Sequence, residues 1–234
     1  MDRCGGFSAS VLAAPLVDGP TRILRVAHAS RLAWQLADDH DRVVTCVIFP
    51  GAVRLPHAMA VPELSAAPSL VSVGGGVITL SGRSLPLTRW WRPARPRTSA
   101  LRRRVVVSSV HDLAARVPRL IGLGAGLTPY GDDVVCGALV ACSAIGIQEG
   151  AALVDAVSAL DLDRRTTATS ALLLRHAVSG YCIDEVADYL HALATGRKVD
   201  QARRTLLAVG HSSGAGLLEG IHRVVASDER EVAA

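Results

Sequence analysis

Lysine is almost absent from this chain: of its 25 basic residues only Lys198 is a lysine. Schiff-base chemistry and lysine-mediated phosphate binding therefore have almost nothing to work with. The pI near 9.0 comes from arginine in a chain rich in Ala, Val and Leu. That is the usage of a GC-rich genome, so the charge alone does not indicate nucleic acid. Long apolar runs are missing as well. No window offers the ~18 uninterrupted apolar residues of a spanning helix, and residues 134–147 are too short a stretch, so no membrane contact is expected. The start of the chain lacks a basic segment followed by an apolar run and a small-residue cleavage site, which makes the cytoplasm the expected compartment.

Paired cysteines are lacking too. Cys4, Cys46, Cys136, Cys142 and Cys182 are odd in number and scattered, which excludes a disulfide framework and reads as reduced core residues. No Cys-x-x-Cys pair and no ligand-spaced histidine cluster occurs, so no structural metal site is expected. A Gly-x-Ser-x-Gly elbow is also absent, which removes a Ser-His-Asp hydrolase of that type.

What is present is a folded-protein composition, 50% hydrophobic and 20% charged over 234 residues. The chain changes character near residue 95. Before it, short β-rich runs dominate: 43–49, and a hairpin of 70–73 with 77–80 joined by Gly74-Gly75-Gly76. A helix capped by Ser30 is expected over 30–38. After residue 105 helical periodicity predicts helices at 108–117, 132–146, 149–160, 166–179, 182–195, 199–208 and 213–227, with Gly180, Gly196 and Gly210 as stops. The expected class is α+β, a small β-rich amino-terminal domain (1–95) followed by an α-helical domain (108–234). Residues 96–107 would be a basic linker, at the end of a run with seven arginines, Trp90 and Trp91 between Arg89 and Arg104. Phosphate-backbone contact with tryptophan stacking is the alternative use of that run. No nucleic-acid fold accompanies the charge, so a proline-stiffened connector is the better reading and no nucleic-acid partner is expected.

The most informative segment is 122–133, Gly-Leu-Gly-Ala-Gly-Leu-Thr-Pro-Tyr-Gly-Asp-Asp. Four glycines and a proline in twelve residues specify a loop, and the apolar run after it is helical. Glycine lets backbone approach a ligand, and a helix start offers free N–H groups and partial positive charge, so an anion is the expected ligand. The spacing from Gly126 to Gly131 mimics a P-loop, but Asp132 follows where that motif needs lysine. Asp132 and Asp133 admit three roles: helix cap, general base, or ligands of a divalent cation such as Mg2+. Gly137, one turn on, would admit a close neighbour.

Two other segments are candidates for the same site. Arg164 and Arg165 can pair with an anion, and Thr166, Thr167, Thr169 and Ser170 can bind substrate, unless the segment is only a helix start capped by Thr166. The turn Gly210-His211-Ser212-Ser213-Gly214 offers an acid or base and two hydroxyls, or simply caps.

At these residues the chain resembles a bacterial family that includes one subunit of oxamate carbamoyltransferase, an enzyme that converts oxalurate and phosphate to oxamate and carbamoyl phosphate. The resemblance rests on Gly122 to Val134, on Thr167 and Ser170 before a leucine pair, and on Gly210 to Gly214. It spans the helical half and, more loosely, the amino half. It implies Asp132, Asp133 and His211 as catalytic residues. Gly124, Gly126, Thr128, Gly131, Thr167, Ser170, Ser212 and Ser213 would bind a small anionic metabolite, carbamoyl phosphate or a dicarboxylate-like compound. Companion subunits are implied as well. The chain departs from the family pattern at Tyr130 for Ser, Val134 for Phe and Gly216 for Asp. The alternatives are a ribokinase-like phosphotransferase, since a glycine loop with an Asp at a helix start also serves that chemistry, and a non-catalytic metabolite-binding or scaffold subunit, which the missing carboxylate at 216 favours.

Overall fold

The structure is a computed structural model that describes residues 5–62 and 66–226; Cys4 lies outside them. The chain divides into two compact units, Met1–Pro93 and Ala94–Ala234.

The first unit is a closed barrel. Its strands are β1 (Phe7–Ser10), β2 (Arg22–Ala29), β3 (Ala33–Ala37), β4 (Val43–Ile48), β5 (Ala58–Ala60), β6 (Leu70–Gly74), β7 (Val77–Leu80) and β8 (Arg83–Trp91), with a short helix α1 (Ala14–Val17) after β1. Around the barrel they run β1-β5-β4-β3-β2-β6-β7-β8, closed by parallel pairing of β8 with β1. An eight-stranded barrel is just wide enough to be filled by side chains. Phe7, Leu24, Trp34, Leu36, Val47, Met59, Ile78 and Leu80 fill this one. The sequence predicted β-rich structure without predicting closure.

The helix expected at 30–38 is instead β3. Ser30 caps no helix: its hydroxyl accepts from the N–H groups of Leu32 and Ala33 and turns the chain into the strand. Residues 34–37 are buried on both faces of the barrel wall, so the alternation that marks a half-exposed strand is missing and the apolar density imitates a helix. The expected hairpin is present. Gly74 pairs with Val77 across Gly75 and Gly76, whose φ values of 59° and 76° are those of a type I′ turn.

The second unit is helical: α2 (Val107–Leu120), α3 (Tyr130–Ile145), α4 (Gly150–Ser158), α5 (Leu162–Arg165), α6 (Ala168–Val178), α7 (Asp184–Thr195), α8 (Val199–Leu207) and α9 (Ser213–Val224). Gly180, Gly196 and Gly210 all adopt positive φ at helix ends. The stretch read as a linker is built in. Arg89, Trp90 and Trp91 belong to β8, and Ser99–Arg104 form a 3-10 helix with Leu101 buried. The Thr98 N–H donates to Ala144 O, and Arg102 donates to Gly146 O at 2.5 Å, so this segment is fastened to the end of α3. Cys46, Cys136, Cys142 and Cys182 are buried free thiols. No helix among the described residues is long and apolar enough to cross a membrane.

α3 is the buried axis of this unit, with only Tyr130 and Ser143 reaching partial exposure. α9 lies directly against it. A Cβ on Gly137 would strike the carbonyl of Leu217, and one on Gly220 would strike the carbonyl of Val134 and stand 2.8 Å from the Ala138 nitrogen. The two backbones touch. Gly220→Ala is therefore expected to destabilise the protein by about 1–3 kcal/mol, because neither backbone can yield without moving a helix. Urea unfolding of the full chain measures this, and an unchanged midpoint would contradict the packing.

Candidate functional site

Residues 122–129 sit where three helix starts meet. Thr128 Oγ1 and Ser213 Oγ, at the head of α9, share a hydrogen bond of 2.8 Å. Thr167, the N-cap of α6, donates to Leu127 O at 2.5 Å while accepting from the Ser170 N–H. Tyr130 opens α3, whose N-cap is Pro129. Thr167, rather than Thr166, is thus the cap, and neither Asp132 nor Asp133 caps α3; both lie inside its first turn.

The start of α3 is less available to a ligand than its sequence implied. Gly131 N–H donates to Leu123 O, and the N–H groups of Asp132 and Asp133 donate to Pro129 O. The loop thus takes the Gly131 N–H, and the carbonyl of the helix's own N-cap, Pro129, takes the next two. Packing dictates three of the glycines: a Cβ at 122 would strike Arg165 O, one at 124 would lie 2.8 Å from the Tyr130 nitrogen, and one at 131 would strike Leu120 O. Gly126 differs, having φ of 98° and open space above it.

The amides left for a ligand belong to the exposed segment Gly124 to Leu127, which donates no backbone hydrogen bond within the described residues. Here φ alternates in sign, negative at Leu123 and Ala125 and positive at Gly124 (119°) and Gly126 (98°). Sign alternation of this kind is one element of the backbone concavities that can bind anions.

The adjacent carboxylates do different work. Asp132 is fully buried, and both its oxygens are taken: Oδ1 accepts from the Gly122 N–H at 2.7 Å and Oδ2 from the Thr166 hydroxyl. It ties the loop, α3 and residue 166 together. Asp133 is 5% exposed, and its Oδ2 is buried without a hydrogen-bond partner. Burial raises its pKa to about 7 and the charge of Asp132 adds to this, while the hydroxyls of Ser213 and Thr128 favour the ionised form and oppose the rise. A carboxyl poised there can both give and take a proton near neutrality.

The remaining predicted residues are placed as follows. Ser170 is buried in the first turn of α6, and Ser212 stands at the N-cap position of α9 without a side-chain capping bond. His211 is exposed in the turn before α9 and shares no hydrogen bond or ion pair with Asp133. Arg165 donates to Pro118 O, and exposed Arg164 lies 3.7 Å from Asp161, so both have other engagements. Among the described residues no group of three or more His, Cys, Asp and Glu could hold a metal ion; a cation at the loop would find one uncommitted carboxylate oxygen, that of Asp133.

Sequence reasoning missed Thr166 as a partner of Asp132. It also missed Tyr130, whose hydroxyl donates to Glu219 at 2.6 Å while Arg223 grips the other Glu219 oxygen. That bond raises the Tyr130 pKa to about 12. No local motif links residues 89 positions apart. Gly216 is explained by the same neighbours: a Cβ there would stand 2.7 Å from Asp133 Cβ and 3.0 Å from Tyr130 O, so no carboxylate fits at 216 in this chain.

Residues 120–225 match the family model described as oxamate carbamoyltransferase subunit AllH, the family that the glycine-rich loop resembles. Over those residues the chain is similar to a family of carbamoyltransferase subunits. The match lies within the helical unit and does not extend into the barrel, where a looser resemblance was expected. No solved structure matches the chain.

The two aspartates should separate experimentally. Asp132→Ala leaves a half-buried amide and a half-buried hydroxyl unpaired and should cost about 1–3 kcal/mol, with Asp132→Asn costing less. For Asp133 the folded state holds its proton from about pH 4, the unfolded pKa, up to about pH 7, so its contribution to stability falls as pH rises through that window. Asp133→Asn should then be more stable than wild type at pH 8, by on the order of a few kcal/mol, and not at pH 4. Thermal midpoints across pH test this; parallel profiles for the two proteins would overturn it.

Proposed function

We propose that this chain is a subunit of a carbamoyltransferase-like enzyme acting on a small carbamoyl or carboxylate metabolite of the oxamate and oxalurate type. The observation that carries the reading is the buried, half-satisfied carboxylate of Asp133 beside the unpaired amides of residues 124–127, within the segment that matches the family. A phosphate oxygen would bond to the carbamoyl carbon of oxalurate, the carbon–nitrogen bond would break, and the proton carried in on phosphate would end on the nitrogen of oxamate. A carboxyl of pKa about 7 suits that transfer in either direction. The loop amides would hold the anion with donors fixed in advance by Asp132 and Thr167. Thr128 and Ser213 would orient the Asp133 carboxylate. Asp132 is assigned a positioning role, and His211 none.

The family's description as a subunit implies companion subunits. Leu123 and Leu127, 57% and 41% exposed at the two ends of the unpaired amides, offer them an apolar rim to cover, which would exclude water from the anion. The ribokinase-like alternative loses support, because every named strand lies in the barrel unit and the loop's own unit has only isolated bridges among the described residues. A metabolite-binding subunit without turnover keeps one observation in its favour, the lack of room for a carboxylate at Gly216.

Carbamoyl phosphate formation from oxalurate and phosphate, measured on the chain together with its companion subunits, tests the proposal. Asp133→Asn should lower kcat by roughly 100-fold or more with the fold retained. Undiminished turnover would contradict the assignment, and wild-type binding of oxamate without turnover would make this the metabolite-binding subunit.

A further inference from the structure

The run of arginine and tryptophan at the end of the barrel is not used by the carbamoyl site. Trp90 packs against the barrel interior, whereas Trp91 joins an outer cluster with Cys46, Ile48, Ala58, Ala52 and Leu55. Arg89, two residues before Trp91, also faces outward, and strand register shows what lies beside it. Arg89 on β8 is opposite Ser8 on β1, Ser8 is opposite Ala60 on β5, and Ala60 is opposite Ile48 on β4. Four neighbouring strands thus present one row, with a guanidinium at one end, an isoleucine at the other and two small side chains between. Small residues between large ones leave a depression in the barrel wall.

The chain after β4 builds the depression into a cleft. Phe49, whose ring packs edge-on against Trp34 of the interior cluster, and Pro50 border its apolar end, and the loop continues through Ala52 to Arg54, whose guanidinium lies 5.5 Å from the centre of the Trp91 ring. The ring restrains that side chain by cation–π attraction. The cleft has a volume of about 500 Å3 and, among the described residues, no acidic side chain in its lining. Neither Arg54 nor Arg89 has an ion-pair partner among the described residues. The size is that of a small-molecule site, where an apolar wall with a few fixed polar groups sets ligand chemistry.

We propose that this cleft binds a small amphipathic carboxylate, its anionic head between Arg54 and Arg89 and its apolar body along Ala60, Ile48 and Ala52. Guanidinium groups match carboxylate geometry and keep their charge at every physiological pH. A peptide strand is the poorer occupant, because the barrel is closed and offers no free edge for main-chain pairing. The cleft is lined by residues of the barrel unit, and the proposal does not rest on the carbamoyltransferase reading.

Calorimetric titration of the full chain with hexanoate, with hexanamide as the uncharged counterpart, tests the proposal. Hexanoate should bind and hexanamide should bind at least about tenfold more weakly; Arg54→Ala and Arg89→Ala should each weaken hexanoate by a similar factor, as expected for a lost charge-assisted bond. Both side chains are exposed, so the variants should keep the wild-type thermal midpoint, and Asp133→Asn should bind hexanoate as wild type does. Equal affinity for the two probes, no binding of hexanoate, or no effect of either arginine substitution would each overturn it.

Discussion

The backbones of α3 and α9 meet through glycine, Gly137 against Leu217 and Gly220 against Val134, and this closeness governs the chemistry beside it. With the two helices in contact, Gly216 closes over the Cβ of Asp133, and Ser213 reaches Thr128 across the mouth of the loop. Water is squeezed from one side of the Asp133 carboxyl, and the cost of charging a desolvated carboxyl raises its pKa. Wider packing would hydrate that group and return it to an ordinary, fully ionised acid. The glycines on α9 thus shape the surroundings of Asp133 although none has a side chain to place there.

Asp132 supplies the complementary constraint. A glycine-rich loop is conformationally costly to order, and this one is held by a buried carboxylate that takes a backbone N–H from its first residue and a hydroxyl from Thr166. One aspartate orders the loop and the next is left with an oxygen to spare. Adjacent residues on a helix point about 100° apart, which is why a doublet can divide its labour: Asp132 turns toward residues 122 and 166, and Asp133 toward α9.

Much of the helical unit could be read from the sequence, because glycines at helix ends and an apolar period of 3.6 are local signals. The loop was legible for the same reason. The barrel was not: β3 is buried on both faces and shows no alternation, β1 and β5 have only four and three residues, and closure by β8 on β1 is a contact between distant segments. Within the site, glycines and aspartates drew attention by type, but which carboxylate was free depended on Thr166 and on α9, far away in the chain. At the helix start the loop carbonyl of Leu123 takes the Gly131 N–H and Pro129 takes those of Asp132 and Asp133, while residues 124–127 stay exposed.

The account stands on one carboxyl being kept apart from the ordinary range of its kind. Carboxyl carbon chemical shifts of the full chain, followed by NMR from pH 3 to 9 with Asp133→Asn to assign the resonance, measure that directly. The account predicts a midpoint at about 7 for Asp133. A midpoint at about 4, the value of a hydrated aspartate, would contradict it, since the glycine contact would then not be drying the group on which the proposed chemistry depends.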